Sequence, residues 1–416
     1  MAKDHPEPKL QRVIGLPGAV MLGLGSIIGT GVFVSLGIGV GIAGPMVLPA
    51  IALAGLVAVC NGLSSAQLAA NHPVSGGTYE YGHRWLNPTL GFIAGWMFLC
   101  AKAASAATAA LGFAMYLAPD YVLPVSLATV AGLTVITLTG MQRSNAVNAV
   151  IVSADLLTLL ACEAVGAPAL RTKGELLQPF FDANRVPELF EATALMFVAY
   201  TGYGRIATLG EEVREPRRTI PIAIILTLGL STLLYLGVSA VSLVHADGQG
   251  FQSLTLLAEK MGGTTLGMAL TAGAALALVS VLLNLLLGLS RVALAMGRRG
   301  DLPKATGRVT ESTKVPAVAT VLVAVVIGGL VCVGDVKLTW SFSAFTVLIY
   351  YAITNLCAIR LKPEERLYPV WISYLGLLSC LSLAFFVEWR VLLTGLGLIA
   401  VGLVWKAGTS RRSASC

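Results

Sequence analysis

Residues 25–31 read Gly-Ser-Ile-Ile-Gly-Thr-Gly, in the middle of an apolar stretch running from Gly18 to Ala43. That stretch is long enough to cross a bilayer, which takes about 20 apolar residues. Glycine costs about 1 kcal/mol relative to alanine in a helix interior, so three of them among small and β-branched residues weaken the helix. Hydrocarbon offers no water to a freed backbone group, and each orphan costs several kcal/mol. A break at this depth survives only if it is buried in protein or lines a cavity whose contents complete the bonding. The pattern predicts an unwound helix centre that holds a ligand.

The rest of the chain fits a membrane. Charged residues make up 12% of the 416 and hydrophobic ones 56%, against roughly 25% charged in an average soluble domain. The mean hydropathy is +0.81. The expected fold is all-α and integral to the membrane, with twelve transmembrane helices. No small-residue cleavage site follows the first of them, so no removable signal peptide is read. Twenty of the 28 Lys and Arg residues fall on the side of the N-terminus and six opposite, leaving Lys102 and Arg205 within spans. The positive-inside rule puts both termini in the cytoplasm, and the expected location is the cell inner membrane. The net charge of +7 is then a matter of topology, with no nucleic acid partner implied. Seven scattered cysteines and four histidines in loops or tails show no metal-ligand spacing. No metal or cofactor is expected.

Weak internal symmetry relates two five-helix units. The sixth span is interrupted at Tyr200-Thr201-Gly202-Tyr203-Gly204-Arg205, as the first is at 25–31. The third and eighth spans are the two longest, and each is preceded by a segment long enough for a short surface helix, His72–Leu86 and His245–Gly263. An odd number of spans per unit makes the repeat inverted. The expected organisation is a cytoplasmic N-terminal segment 1–17, a first unit 18–167, an extracellular loop 168–187 and a second unit 188–359. Two additional C-terminal helices follow in 369–406, then a cytoplasmic tail 407–416.

An interrupted helix presents free N–H groups that attract an anion and free carbonyls that attract a cation. A zwitterionic α-amino acid suits two such breaks. Its carboxylate is expected on the amides of Gly29, Thr30 and Gly31, with the Thr30 hydroxyl in reach. Its ammonium is expected on carbonyls near Ile27 and along Val198–Thr201. Aromatic residues Phe197, Tyr200, Tyr203 and Trp340 are candidate gates, with core packing as the alternative.

Four segments carry a resemblance: GSIIGTGVF (25–33), HPVSGGTYEY (72–81), FVAYTGYGRIATLGEEVREPRRTIP (197–221) and SRVALAMGRRGDLP (290–303). In this order they resemble a bacterial member of the amino acid–polyamine–organocation superfamily. The resemblance implies the five-plus-five inverted repeat with discontinuous helices 1 and 6, a central site and alternating access. It carries binding positions onto Ile27, Gly29, Thr30, Gly31, Val198, Ala199, Thr201 and Tyr203. Two departures stand out. Gly204 occupies a place where many relatives carry an acidic or polar side chain, and Asp155 stands where proton-coupled relatives often carry a lysine.

A charge inside a span costs about 2.5–3.5 kcal/mol on insertion scales, so each is a functional candidate. Lys102 in span 3 and Asp155 in span 5 form a compensating pair if their helices touch, and Asp155 is a candidate proton carrier. Glu163, also in span 5, is expected to reach water near the outer end. Arg205 is a candidate inner gate facing Glu211 or Glu212. Since every histidine lies outside the spans, an embedded enzyme is disfavoured. The expected function is secondary active transport of amino acids, by proton symport or by exchange, with a non-transporting sensor as the alternative. The absence of acidic residues from both breaks points to neutral rather than cationic amino acids. The expected partners are an amino acid, a proton and the lipid bilayer.

Overall fold

A computed structural model describes residues 14–72, 76–140, 145–207, 213–246, 254–310, 313 and 315–414. The expectations for Met1–Arg12, Glu211 and Glu212 lie outside the described residues. The first half comprises α1 (Leu16–Thr30), α2 (Leu36–Ala43), α3 (Val47–Asn71), α4 (Thr78–Trp85), α5 (Pro88–Leu117), α6 (Val122–Leu138), α7 (Asn145–Gly166) and α8 (Pro168–Thr172). The second comprises α9 (Val186–Tyr200), α10 (Gly204–Ala207), α11 (Pro216–His245), α12 (Leu254–Arg298), α13 (Ala317–Val331), α14 (Val336–Ile359), α15 (Val370–Ala384) and α16 (Trp389–Ala414). Among the described residues, eight helices are long and apolar enough to cross a membrane, the first of them a 56-residue stretch from Leu16 to Asn71.

Local chemistry sets several boundaries. Asn87 accepts from the Leu90 amide at 2.8 Å and Pro88 supplies a fixed φ at the first turn, so α5 starts there. Asp335 caps α14 in the same way, accepting from Leu338. Gly263, at φ +74°, separates a short leading segment of α12 from its long body. With α4, this gives a helix in each of the segments preceding the two longest spans.

The core forms where small residues let helices approach closely. In α5, Ala103, Ala104, Ala106, Ala107, Ala109 and Ala110 are all buried, and the helix packs chiefly on α14 and α12. Helix α1 lies against α11, α7 and α12, and α3 against α11 and α9. The periphery is apolar too: Val135, Leu157, Leu378 and Val404 are each more than 60% exposed. A continuous apolar exterior of this kind belongs in lipid, not water.

Candidate functional site

The first helix does not unwind where the glycines predict. It stays α-helical through Thr30, widens into a π-turn over Gly31–Ser35 and resumes as α2. Gly29 and Thr30 therefore lie within α1, and the Gly31 amide donates to the Ile28 carbonyl. The amides expected to be open for a carboxylate are engaged in helix bonds in this conformation. The second break is likewise not unwound but a 3₁₀ turn over Thr201–Tyr203 between α9 and α10.

The physical reason is that protein side chains supply what a ligand was expected to supply. Because Gly31 bonds Ile28, the Ile27 carbonyl loses its helical donor. Tyr235 of α11 takes it, donating its hydroxyl at 2.9 Å, with the Ala199 carbonyl of the other broken helix 3.4 Å away. Tyr116 of α5 donates to the Phe33 carbonyl at 2.9 Å. Thr201 turns its hydroxyl back onto Val198 O at 2.7 Å, and Tyr351 of α14 reaches Thr201 O at 3.5 Å. A hydroxyl beside a widened or tightened turn is a common remedy for freed backbone in membrane helices.

Glycine is required where the broken helices meet their neighbours. A Cβ at Gly31 would stand 1.9 Å from the Tyr235 hydroxyl, and one at Gly202 would stand 2.3 Å from the Ser26 carbonyl. At Gly204, where an acidic group was noted as missing, the Tyr351 hydroxyl lies 3.1 Å from the Cβ position. An aromatic ring thus fills the place of that side chain.

The expected site residues converge. Ile27, Thr30, Gly31, Val198, Ala199, Thr201 and Tyr203 are all buried around this junction, and Gly29 packs on Ala277 and Val281 of α12. Phe197 and Tyr203 both pack on Tyr351, and Tyr200 packs on Tyr235. At the far end of the junction, Trp340 donates from Nε1 to Ser35 Oγ and to Leu195 O, both at 3.1 Å. Toward the other end Ser26, Gly202, Gly204 and Arg205 keep partial exposure.

The membrane charges are arranged differently from expectation. Lys102 does not pair with Asp155; its Nζ donates to Thr201 Oγ1 at 2.8 Å. Asp155 is buried on α7, where its Oδ1 lies 3.2 Å from a Cβ position at Gly273 of α12. Helix α7 packs on α12, α1 and α11, so the condition for the pair is not met. Glu163 lies against Gly237 of α11.

A second polar centre lies on the side of α4 and went unread in the sequence. Asp301, 2% exposed, accepts from the Tyr79 hydroxyl at 2.8 Å and pairs with Lys406, and His83 Nε2 lies 3.9 Å away. Trp405 donates to its carbonyl at 2.8 Å, and Arg299 pairs with Glu80 next to it. Burial, and then the bond to Asp301, push the Tyr79 phenol well above its ordinary range. Burial, followed by the Arg84 cation, lowers His72, which favours the neutral ring that faces Arg84 Nη1 at 2.7 Å. Motifs 72–81 and 290–303 meet here.

Long apolar helices in a lipid-compatible shell, two of them broken face to face around buried polar groups, define a multi-pass membrane transporter. The chain belongs to the amino acid permease family, whose model matches residues 18–410. It is 38% identical over 405 residues to an uncharacterized transporter of Mycobacterium tuberculosis, covering 96% of this chain and 92% of that one. It is 27% identical over 441 residues to a branched-chain amino acid permease of Bacillus subtilis, covering 97% and 94%. It is also 27% identical over 356 residues to a methylthioribose transporter of the same organism, covering 79% and 77%.

Proposed function

We propose that this protein is a secondary active amino acid transporter of the cytoplasmic membrane, with both termini inside. In this reading, twelve spans form the five-plus-five inverted repeat (18–167 and 188–359), joined by the outer loop 168–187. Helices in 369–406 and the terminal segments 1–17 and 407–416 complete it. The observation that carries the reading is the Tyr235 hydroxyl set between Ile27 O of one broken helix and Ala199 O of the other. A substrate ammonium arriving there takes the same two carbonyls and draws the helices together. The carboxylate is received at Gly29, Thr30 and Gly31 once the turn at Gly31 relaxes. Val198, Thr201 and Tyr203 form the opposing wall.

Alternating access then consists of breaking one closure while the other forms. With the termini inside, Trp340, Ser35 and Leu195 make the outer closure, and Arg205 belongs to the inner one. Trp340→Phe removes two N–H contacts of that closure. In a protein whose native cysteines are replaced, a cysteine at Val198 is expected to react about 5-fold faster with an external impermeant maleimide. That factor corresponds to about 1 kcal/mol, one net hydrogen bond.

Coupling to protons is assigned to Asp155, which stands on α7 where the resemblance places a lysine in proton-coupled relatives and lies against Gly273 of the long eighth span. Asp155→Asn is expected to flatten the pH dependence of uptake, and an unaltered pH profile removes Asp155 from the mechanism. The decisive experiment is uptake of labelled amino acids into proteoliposomes under an imposed pH gradient. Accumulation driven by the gradient supports symport. Uptake that requires internal substrate supports exchange, and binding without accumulation overturns transport in favour of a sensor.

A further inference from the structure

Lys102 is bonded to the α9 break by a one-way relay. The Thr201 hydroxyl has one proton and gives it to Val198 O, so toward Lys102 it acts as the acceptor of an N–H. Lys102 makes no ion pair among the described residues, and Asp155 lies on a helix that packs elsewhere. An ammonium carries three donors and no acceptor, so two N–H groups remain for something other than Thr201. The neighbouring hydroxyls of α5 bond to α14, Ser105 to Ser343 and Thr108 to Thr339. Lys102 keeps partial exposure while Ala101, Ala103 and Ala104 around it are buried.

We infer that Lys102 sets the charge selectivity of the site, favouring amino acids whose side chain ends in an oxygen acceptor, a carboxylate or a carboxamide, and excluding cationic side chains. The inference rests on the transport reading above. With the α-ammonium and α-carboxylate at the two breaks, a side chain of two or three further carbons extends toward α5. A terminal oxygen there completes the donors of the lysine, whereas a second cation meets like charge in a site of low dielectric. An aliphatic side chain leaves the donors unmet, and a site built to bond a polar group discriminates against the analogue that lacks it.

The test is initial-rate uptake of glutamine, glutamate, leucine and lysine by the full chain in proteoliposomes, for wild type, Lys102→Met and Lys102→Glu. Wild type is expected to favour glutamine or glutamate over leucine by about tenfold or more in kcat/KM and to take up no lysine. The balance between glutamine and glutamate separates carboxamide from carboxylate. Lys102→Met is expected to erase that preference, and Lys102→Glu to admit lysine. If the variants fail to fold, ligand-induced thermal stabilisation of wild type by the same four amino acids reads the same order. A wild type that prefers leucine or lysine, or a Lys102→Met protein with unchanged selectivity, overturns the inference and leaves transport standing. A wild type that neither takes up nor is stabilised by any amino acid overturns the transport reading along with it.

Discussion

Gly31→Ala is expected to abolish uptake, because the new methyl group lands on the tyrosine that holds both broken helices. The Cβ position lies 1.9 Å from the Tyr235 hydroxyl oxygen, 2.8 Å from its Cζ and 3.3 Å from Ala199 Cβ. Tyr235 is fully buried and packs on Tyr200, so the ring has nowhere to withdraw without opening α11. Overpacking of this kind costs about 1–3 kcal/mol. The displaced hydroxyl also leaves the Ile27 carbonyl unpaired, which adds about 1–3 kcal/mol. Tyr235→Phe removes the bond without the clash, so its effect on thermal stability in detergent is expected to be smaller. Gly229→Ala, where a Cβ meets nothing within 4 Å, is the matched control and is expected to behave as wild type. Initial-rate uptake normalised to folded protein checks the order. A Gly31→Ala protein that transports at the rate of the Gly229→Ala control would show that the Tyr235 bridge has no part in the cycle.

That bridge marks the boundary of what the sequence could reveal. Glycine spacing located both interruptions to within a few residues, because a weak helix interior is a local property. Their form was not local. Whether a freed carbonyl waits for a ligand or takes a hydroxyl depends on Tyr235 and Tyr116, which lie 208 and 83 positions along the chain from the carbonyls they bond. Unwinding was the expected form when no internal donor was in view, and a π-turn is the observed one when donors are at hand. The same limit governed Lys102. Its hydropathic context placed it inside a span, but its partner followed from which helices touch, and α5 packs on α14 and α12 rather than on α7. A tyrosine within an otherwise apolar stretch, such as Tyr235 in α11, was the available signal for a backbone-bonding hydroxyl.

Asp301 shows the limit most fully, since its four neighbours come from two helices remote in sequence. Asp301→Ala is expected to lower the thermal stability of the detergent-solubilised protein more than any surface substitution. Lys406, 21% exposed on α16, would lose the carboxylate it pairs with here. The Tyr79 hydroxyl would lose its acceptor. Breaking a buried pair from one side costs about 3–5 kcal/mol, and the partial exposure of Lys406 places this case toward the lower figure. Asp301→Asn keeps an oxygen for Tyr79 and is expected to fall between wild type and the alanine variant. Combining Asp301→Asn with Lys406→Met should cost less than the sum of the two, as groups in one network do. The phenol adds a pH signature of definite sign. A pKa raised in the folded state contributes stability that is complete below the unfolded value of about 10 and is lost as pH rises past it. Wild type is therefore expected to lose melting temperature above about pH 10 more steeply than Tyr79→Phe. If Asp301→Ala melts with wild type, the contacts joining α4, the segment after α12 and α16 carry no stability. The ends of these helices would then be free to move independently during the transport cycle.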